Sequence, residues 1–367
     1  SIFINIYIYI LPKRFGCQLL ICELFIIFMN IKELAKKLDL SITTVSRALG
    51  GYPDVSEKTR ERVKRFANKY QYSPNPYAST LASGKTKTVG YVLPIYGTNT
   101  STLNQGNFFQ FIAGMSDELL SESIQLQILF AKSEDEEIKA YEKLILEQKI
   151  ENIVLQNIKT NDKRIEMLKK YKINYVAWGK TKSNSDFSWV DLDNEGAIEI
   201  IINYLINKNH QHISYINISE KYNFANERKS SFLKNLKKNK IKFNKNYYTS
   251  VKLEEPEKSF EVIKNMLIKN KKITAIICST EFSALSAIKA CNYLNYKIGK
   301  DISIITFDGP LVRDLSSPPI TAVSFPVKEL GKRAINILLD KKIKGEETRN
   351  YLARSQIIER GSVHEVN

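Results

Sequence analysis

From Thr88 onward the chain alternates short runs of β-branched and aromatic residues with longer stretches of helical periodicity, and this alternation constrains the fold more than any other feature. Nine candidate strands, from Val89–Pro94 to Thr321–Phe325, interleave with eight helical segments, from Phe108–Leu120 to Val327–Asp340. Strands separated by helices of this length pair as βαβ units and make parallel sheets. About 280 residues with this many strands exceed one comfortable sheet, so two α/β lobes with a cleft between them are expected. Ligands in such folds bind at the carboxyl ends of the strands.

The segment before Thr88 reads differently, as short helices with no strand. Ile31, Leu34, Ala35 and Leu38 share one helical face. Asp39-Leu40 makes a tight break, and Ser41 is placed to cap a second helix, Ile42–Leu49, which ends at Gly50-Gly51. A third helix starts at Ser56 and is expected to bury Val63, Phe66, Ala67 and Tyr70. Two short helices joined by a tight turn, with a third in support, are a helix-turn-helix, and the small Ala35 lets the pair approach closely.

Charge bears on what that module touches. The chain carries 55 Lys and Arg against 39 Asp and Glu, a formal net charge of +16. The abundance of Lys, Ile and Asn is partly that of an AT-rich genome, so distribution says more than the total. Residues 29–88 hold twelve basic against five acidic side chains, and four of the twelve Arg are Arg47, Arg60, Arg62 and Arg65. A basic block on a helix-turn-helix points to a polyanion; a solvated face on a packing module without DNA is the competing reading.

Other classes lose support. Four Cys and three His give neither a disulfide framework nor metal-binding spacing, so no metal or cofactor is expected. No GxGxxG or GxxxxGK[ST] follows the first strand, and no nucleophile–base pair is evident, which counts against a Rossmann-type enzyme. Residues 1–28 are apolar but split by Pro12-Lys13-Arg14 and Gly16, and lack the order of a signal peptide. They are expected to be translated upstream sequence, with Met29 the true start; a membrane anchor is the alternative.

The motifs NIKELAKKLDLSITTVSRALGG, VSEKTRERV and YSPNPYASTLASGKTKTVGYVLP resemble the N-terminal module of the LacI/GalR family of bacterial transcription regulators. The likeness continues through VDLDNEG, NERKSSF and DISIITFDG to ITAVSFPVKELG. It implies a helix-turn-helix headpiece at 29–75, a hinge helix and linker at 76–88, and a periplasmic-binding-protein-like core at 89–361 made of Rossmann-like parallel-sheet subdomains. Lobe 1 is expected at about 89–192 and 327–344, and lobe 2 at about 193–324 and 346–361. The implied protein is a cytoplasmic, nucleoid-associated homodimer or tetramer. It binds double-stranded operator DNA, mostly as a repressor, and answers to a small effector, expected to be a carbohydrate. An exported or membrane-anchored sugar-binding protein is the alternative, which the headpiece disfavours.

By resemblance, Ile42 and Thr43 choose bases and Arg47 reads a further one, in keeping with Ile or Thr against thymine methyls and Arg against guanine. Thr44 and Ser46 are phosphate contacts or caps, Val45 is core, and Arg60 and Lys64 are weaker candidates for phosphate. Asn75, which can cap the hinge helix, and Tyr77 are placed at the DNA. Leu81 stands where the family inserts a minor-groove wedge, and Ser79 replaces a frequent Arg. In the core, Phe108, Phe109, Asp193, Arg228 and Asp308 match effector-contact positions. Ordinary core is the competing reading for the two Phe, and a surface salt bridge for Arg228 and Asp308. Thr280-Glu281 departs from the family's Asn-Asp. Trp178 is read as a sugar platform or core, His210 and His212 as structural, and Cys278 and Cys291 as buried core.

Overall fold

The computed structural model describes residues 29–72, 87–95, 106–182, 186–252, 258–339 and 350–366. The chain divides into two compact units, residues 1–83 and 84–367.

In the first unit, α1 (Ile31–Leu38), α2 (Ile42–Leu49) and α3 (Glu57–Lys69) form the helix-turn-helix and its support. Asn30 and Glu33 close a reciprocal capping box at the start of α1, with bonds of 3.0 and 3.1 Å. Asp39 ends α1 in the left-handed region at φ 53°, a conformation Asp tolerates better than most side chains. Ser41 Oγ then accepts the Thr44 N–H at 3.0 Å and starts α2. Leu34, Ala35 and Leu38 bury against Val45, Ala48, Val63 and Ala67. Phe66 and Tyr70, expected inside, are only half-buried at the margin.

The second unit is two lobes that the chain visits alternately. Lobe 1 begins with β1 (Thr88–Pro94), α4 (Gly106–Ser121), β2 (Gln125–Ala131), α5 (Glu134–Glu142), β3 (Asn152–Gln156), α6 (Lys163–Lys170), β4 (Asn174–Trp178) and β5 (Ser188–Leu192). The chain crosses at Asp193 into α7 (Asn194–Asn207), β6 (Ile213–Ile218), α8 (Asn223–Lys238), β7 (Tyr248–Val251) and α9 (Ser259–Lys269). Lobe 2 continues with β8 (Ala275–Cys278), α10 (Glu281–Tyr293), β9 (Ser303–Phe307), α11 (Pro310–Asp314) and β10 (Thr321–Ser324). Then α12 (Val327–Leu339) and β11 (Asn350–Ala353) return to lobe 1, and β12 (Gln356–Ile358) lies in lobe 2.

The sheets run β11-β5-β4-β3-β1-β2 and β12-β10-β9-β8-β6-β7. All pairings are parallel except β10 with β12. β6, β8 and β9 are buried along their whole length, as expected of strands covered by helices on both faces. One boundary is corrected. Residues 350–353 pair with β5, so the third crossing falls between Ala353 and Gln356 rather than near residue 346. β7, β11 and β12 were not among the candidate strands; each is a short edge strand whose partner, not its own pattern, defines it.

α4 and α12 lie directly backbone to backbone. A Cβ on Gly114 would run into the carbonyl oxygen of Lys328, and one on Gly331 into that of Phe111. Asp117 borders this seam, paired with Lys328 at 2.9 Å and Lys332 at 3.6 Å. Gly114→Ala is therefore expected to wedge the helices apart and cost about 1–3 kcal/mol. Urea unfolding of the purified chain measures this; wild-type stability would mean the seam can open without loss.

Candidate functional site

The exposed face of α2 carries Ile42, Thr43 and Ser46, while Val45 is fully buried beneath them. Thr44 is committed locally, its hydroxyl 2.8 Å from Ser41 Oγ, and so acts as part of the cap. Arg47 Nε donates to Asp54 Oδ2 at 2.8 Å, and its guanidinium lies 4.5 Å over the Tyr52 ring. That hydrogen bond holds the Asp54 carboxyl below its usual range. Arg47 is thus tied down within the headpiece by Asp54 and Tyr52. Arg60, expected at phosphate, instead binds the loop before α3. It pairs with Glu57 at 2.6 Å and donates to the Tyr52 and Val55 carbonyls at 3.1 Å. Arg62 similarly donates to Leu38 O at the end of α1. Lys64 and Arg65 are exposed. Asn75, Tyr77, Leu81 and the hinge helix lie outside the described residues.

In the second unit a cavity of about 140 Å³ opens between the lobes, at the carboxyl ends of the strands. Lobe 1 contributes Asn107, Asn157, Trp178 and Asp191; lobe 2 contributes Asn194, Phe224, Arg228, Thr280, Glu281 and Phe307. Asn157 follows β3 in the left-handed region at φ 51°. Its carbonyl accepts from Arg164 at 3.2 Å, and Arg164 is itself buried between Asp162 and Glu137. Trp178 lines the cleft and stacks on Phe111 at 4.3 Å.

Arg228 is the centre of this arrangement. It is 7% exposed, with Phe307 3.5 Å from its guanidinium and Phe224 at 4.9 Å. Its Nε donates to Asn194 Oδ1 at 2.8 Å and its Nη1 to Ser279 O at 3.2 Å. Among the described residues no carboxylate pairs with it, and burial pulls its pKa down to about 10. A buried guanidinium whose protein partners are neutral retains N–H groups for acceptor oxygens of a ligand. Beside it, Asp191 accepts from Leu192 N at 2.8 Å. Burial, then the charge of Glu227, push its pKa up to about 7.

Of the five expected effector residues, only Arg228 lines the cleft. Asp193 caps α7 through Gly196 N at 2.9 Å, and the cleft is lined by its neighbours Asp191, Leu192 and Asn194 instead. Asp308 is held by Arg360 at 3.0 Å in a largely buried ion pair, not the surface salt bridge of the competing reading. Phe108 packs in the lobe 1 core against Tyr91, and Phe109 is 56% exposed; Asn107 is the lining residue of that turn. Thr280 and Glu281 do reach the cleft. Thr280 caps α10, and Glu281 accepts Leu311 N at 2.9 Å. The signal that finds the missed residues is positional: Asp191 and Phe307 sit at the last positions of buried strands, Asn157 directly follows one, and Asn107, Asn194 and Phe224 lie at the first positions of helices.

His210 is buried among Thr274, Ser303 and His364 as a structural group, and burial lowers its pKa to about 4. Cys278 and Cys291 are buried core. Among the described residues no group of three His, Cys, Asp or Glu is placed to hold a metal, and no helix is long and apolar enough to cross a membrane.

Known proteins carry both units in the same order. Residues 30–75 match the lacI family of bacterial regulatory proteins, and residues 202–363 the periplasmic binding protein-like domain. The HTH-type transcriptional regulator AglR of Rhizobium meliloti is 31% identical over 91% of this chain and 94% of its own length. RafR of Escherichia coli, also an HTH-type transcriptional regulator, is 28% identical over 86% of this chain and 93% of its own. The lac repressor dimer bound to operator and the anti-inducer ONPF has the same fold, with a TM-score of 0.76 at 19% identity over 92% of this chain and 99% of that one. A complex of the regulator CelR with cellobiose gives 0.69 at 21% identity, over 91% and 99%.

The chain belongs to the LacI family of bacterial transcriptional regulators. It is a DNA-binding regulator controlled by a small effector, and not an enzyme.

Asp191 yields a pH-dependent expectation. Its folded pKa of about 7 lies above the ordinary 3.8, so the folded state keeps a proton that the unfolded chain gives up. The contribution of Asp191 to stability therefore falls as pH rises from about 4 to about 7 and is not regained above. Asp191→Asn is expected to remove that loss, gaining roughly 2–4 kcal/mol at about pH 8 and little at about pH 4. Thermal melts across this range measure it; equal pH profiles for the two proteins would mean Asp191 ionises freely.

Proposed function

We propose that this regulator is a homodimeric repressor whose affinity for its operator is set by a small neutral carbohydrate bound between the lobes. The observation that carries this reading is Arg228, buried on aromatic rings and, among the described residues, hydrogen-bonded to the neutral oxygens of Asn194 and Ser279. Around it stand the amides Asn107, Asn157 and Asn194, the Thr280 hydroxyl, and the rings of Trp178, Phe224 and Phe307. Rings take the apolar C–H faces of a sugar while amides and guanidinium take its hydroxyls, and the match is selective because the hydrogen-bond geometry is fixed. The CelR–cellobiose complex and the PurR repressors, one of them from Klebsiella pneumoniae at 26% identity, support the sugar and the repression respectively.

Ile42, Thr43 and Arg47 then read the major groove, Ser46 meets a phosphate, and Asn75, Tyr77 and Leu81 are assigned to the hinge side, with Leu81 wedging a base step of the minor groove. A two-fold symmetric pair of headpieces matches a palindromic operator, and the lac repressor structure is of a dimer. The protein works where the DNA is, in the cytoplasm.

A gel-shift titration against operator DNA, with and without a panel of sugars, tests the assignment. Arg47→Ala is expected to cost about 1–3 kcal/mol on the cognate operator and to relax base preference. Arg228→Ala should keep operator affinity and lose the sugar response. Release of DNA by Arg228→Ala at the wild-type sugar concentration would show that the cleft is not the sensor.

A further inference from the structure

One flank of the cleft is closed by protein. The loop after β3 and the loop after β6 meet as a short antiparallel bridge in which Lys159 lies opposite Tyr222. Thr160 N donates to Lys221 O and Asn223 N to Ile158 O, both at 3.0 Å, so each lobe donates one backbone bond to the other. Asn226 Nδ2 adds a bond to Thr160 Oγ1 at 3.1 Å. Above the bridge, Glu134 at the start of α5 receives Lys159 of its own lobe at 2.9 Å and Lys221 of the opposite lobe at 3.3 Å. None of these residues lines the cavity, yet Asn157 and Phe224, which do, are immediate chain neighbours of Ile158 and Asn223.

We propose that Glu134 and Lys221 are positioning residues for effector binding: with the strand bridge they form a clasp that holds the two walls of the cleft together, and the effector enters and leaves only when it opens. This rests on the cleft being the effector site. None of its groups touches the effector, and in this proposal it closes with the same geometry over a filled and an empty cleft, so its free energy is the same in both. It therefore cancels from the equilibrium affinity and appears in both rates. That sets it apart from a ligand contact, whose loss raises the dissociation rate alone.

The lysines supply an internal control. Lys221→Ala removes a tie between lobes, whereas Lys159→Ala removes a tie within one lobe; Glu134→Ala removes both. Hydrogen exchange of the Thr160 and Asn223 amides in the full-length protein, followed residue by residue by NMR, reads the clasp directly. The two amides sit on different lobes and are freed by one opening, so equal protection is expected in the wild type. Both should exchange about fivefold faster in Lys221→Ala and Glu134→Ala, the scale of a partly exposed ion pair, and change little in Lys159→Ala. Unequal protection of the two amides, or no response to Lys221→Ala, would overturn the proposal. Stopped-flow binding with glucose, galactose and cellobiose as probes adds the functional arm. For any that binds, kon and koff should rise together in Lys221→Ala with Kd unchanged, and a rise in koff alone would overturn the proposal. Should none of these sugars bind, the sugar reading is what fails, and amide exchange still decides on the clasp.

Discussion

The contact on which the core depends is the glycine seam between α4 and α12. Lobe 1 is assembled from pieces separated by almost all of lobe 2, and nothing in the chain's local order requires α12 to find it again. What draws α12 back is a surface where two backbones can touch, with Gly114 under Lys328 and Gly331 under Phe111. Close approach lets Leu330, Ala334, Ile335 and Leu338 reach the same apolar cluster as Val89, Tyr91 and Met115. Dispersion is short-ranged, so a gap of even an ångström at the seam weakens many of these contacts at once. The cleft inherits its shape from this, because its lobe 1 wall hangs on strands that α4 and α12 cover.

Much of the fold was legible because its signals are local. Ser41 and Asp39 mark the turn between α1 and α2 by cap chemistry alone, and α2 runs over the residues expected. Strands such as β3, β8 and β9 centre on short runs of Ile, Val and Leu, and the expected limits coincide with the observed ones. β7, β11 and β12 were illegible for the opposite reason. An edge strand of three or four residues takes its identity from the strand it joins, and the sequence of an edge records little of that.

The site was harder to read, and the failures are specific. Asp308 has the position and chemistry of a ligand-binding carboxylate, but Arg360, 52 residues further on, captures it. Asp193 and Asp191 differ by two residues along a strand end; one becomes a helix cap and the other a buried acid beside Arg228. Such outcomes depend on which distant groups arrive, which no window of sequence contains. In the headpiece the basic block gives a similar lesson. Charge density pointed to DNA, yet Arg60 and Arg62 each turn a guanidinium nitrogen to the protein's own carbonyls. Net charge is thus a poor count of the groups available to a partner.

The third crossing of the chain has a consequence for the order in which the protein can be made. Lobe 1 lacks its β11 edge until residues 350–353 have been synthesised, and lobe 2 lacks β12 until residues 356–358 have followed. Ser362 then ties Ile304 and Thr321 together from within lobe 2. Neither lobe can therefore be completed on the ribosome much before the other, and both wait for the same short stretch. The headpiece, whose three helices are finished by Lys69, waits for none of it. A nascent or prematurely terminated chain would carry a whole DNA-binding unit on an unfinished sensor. Frameshifts between Leu81 and Asn350 would thus leave the reader of DNA intact while removing an edge from both halves of its control.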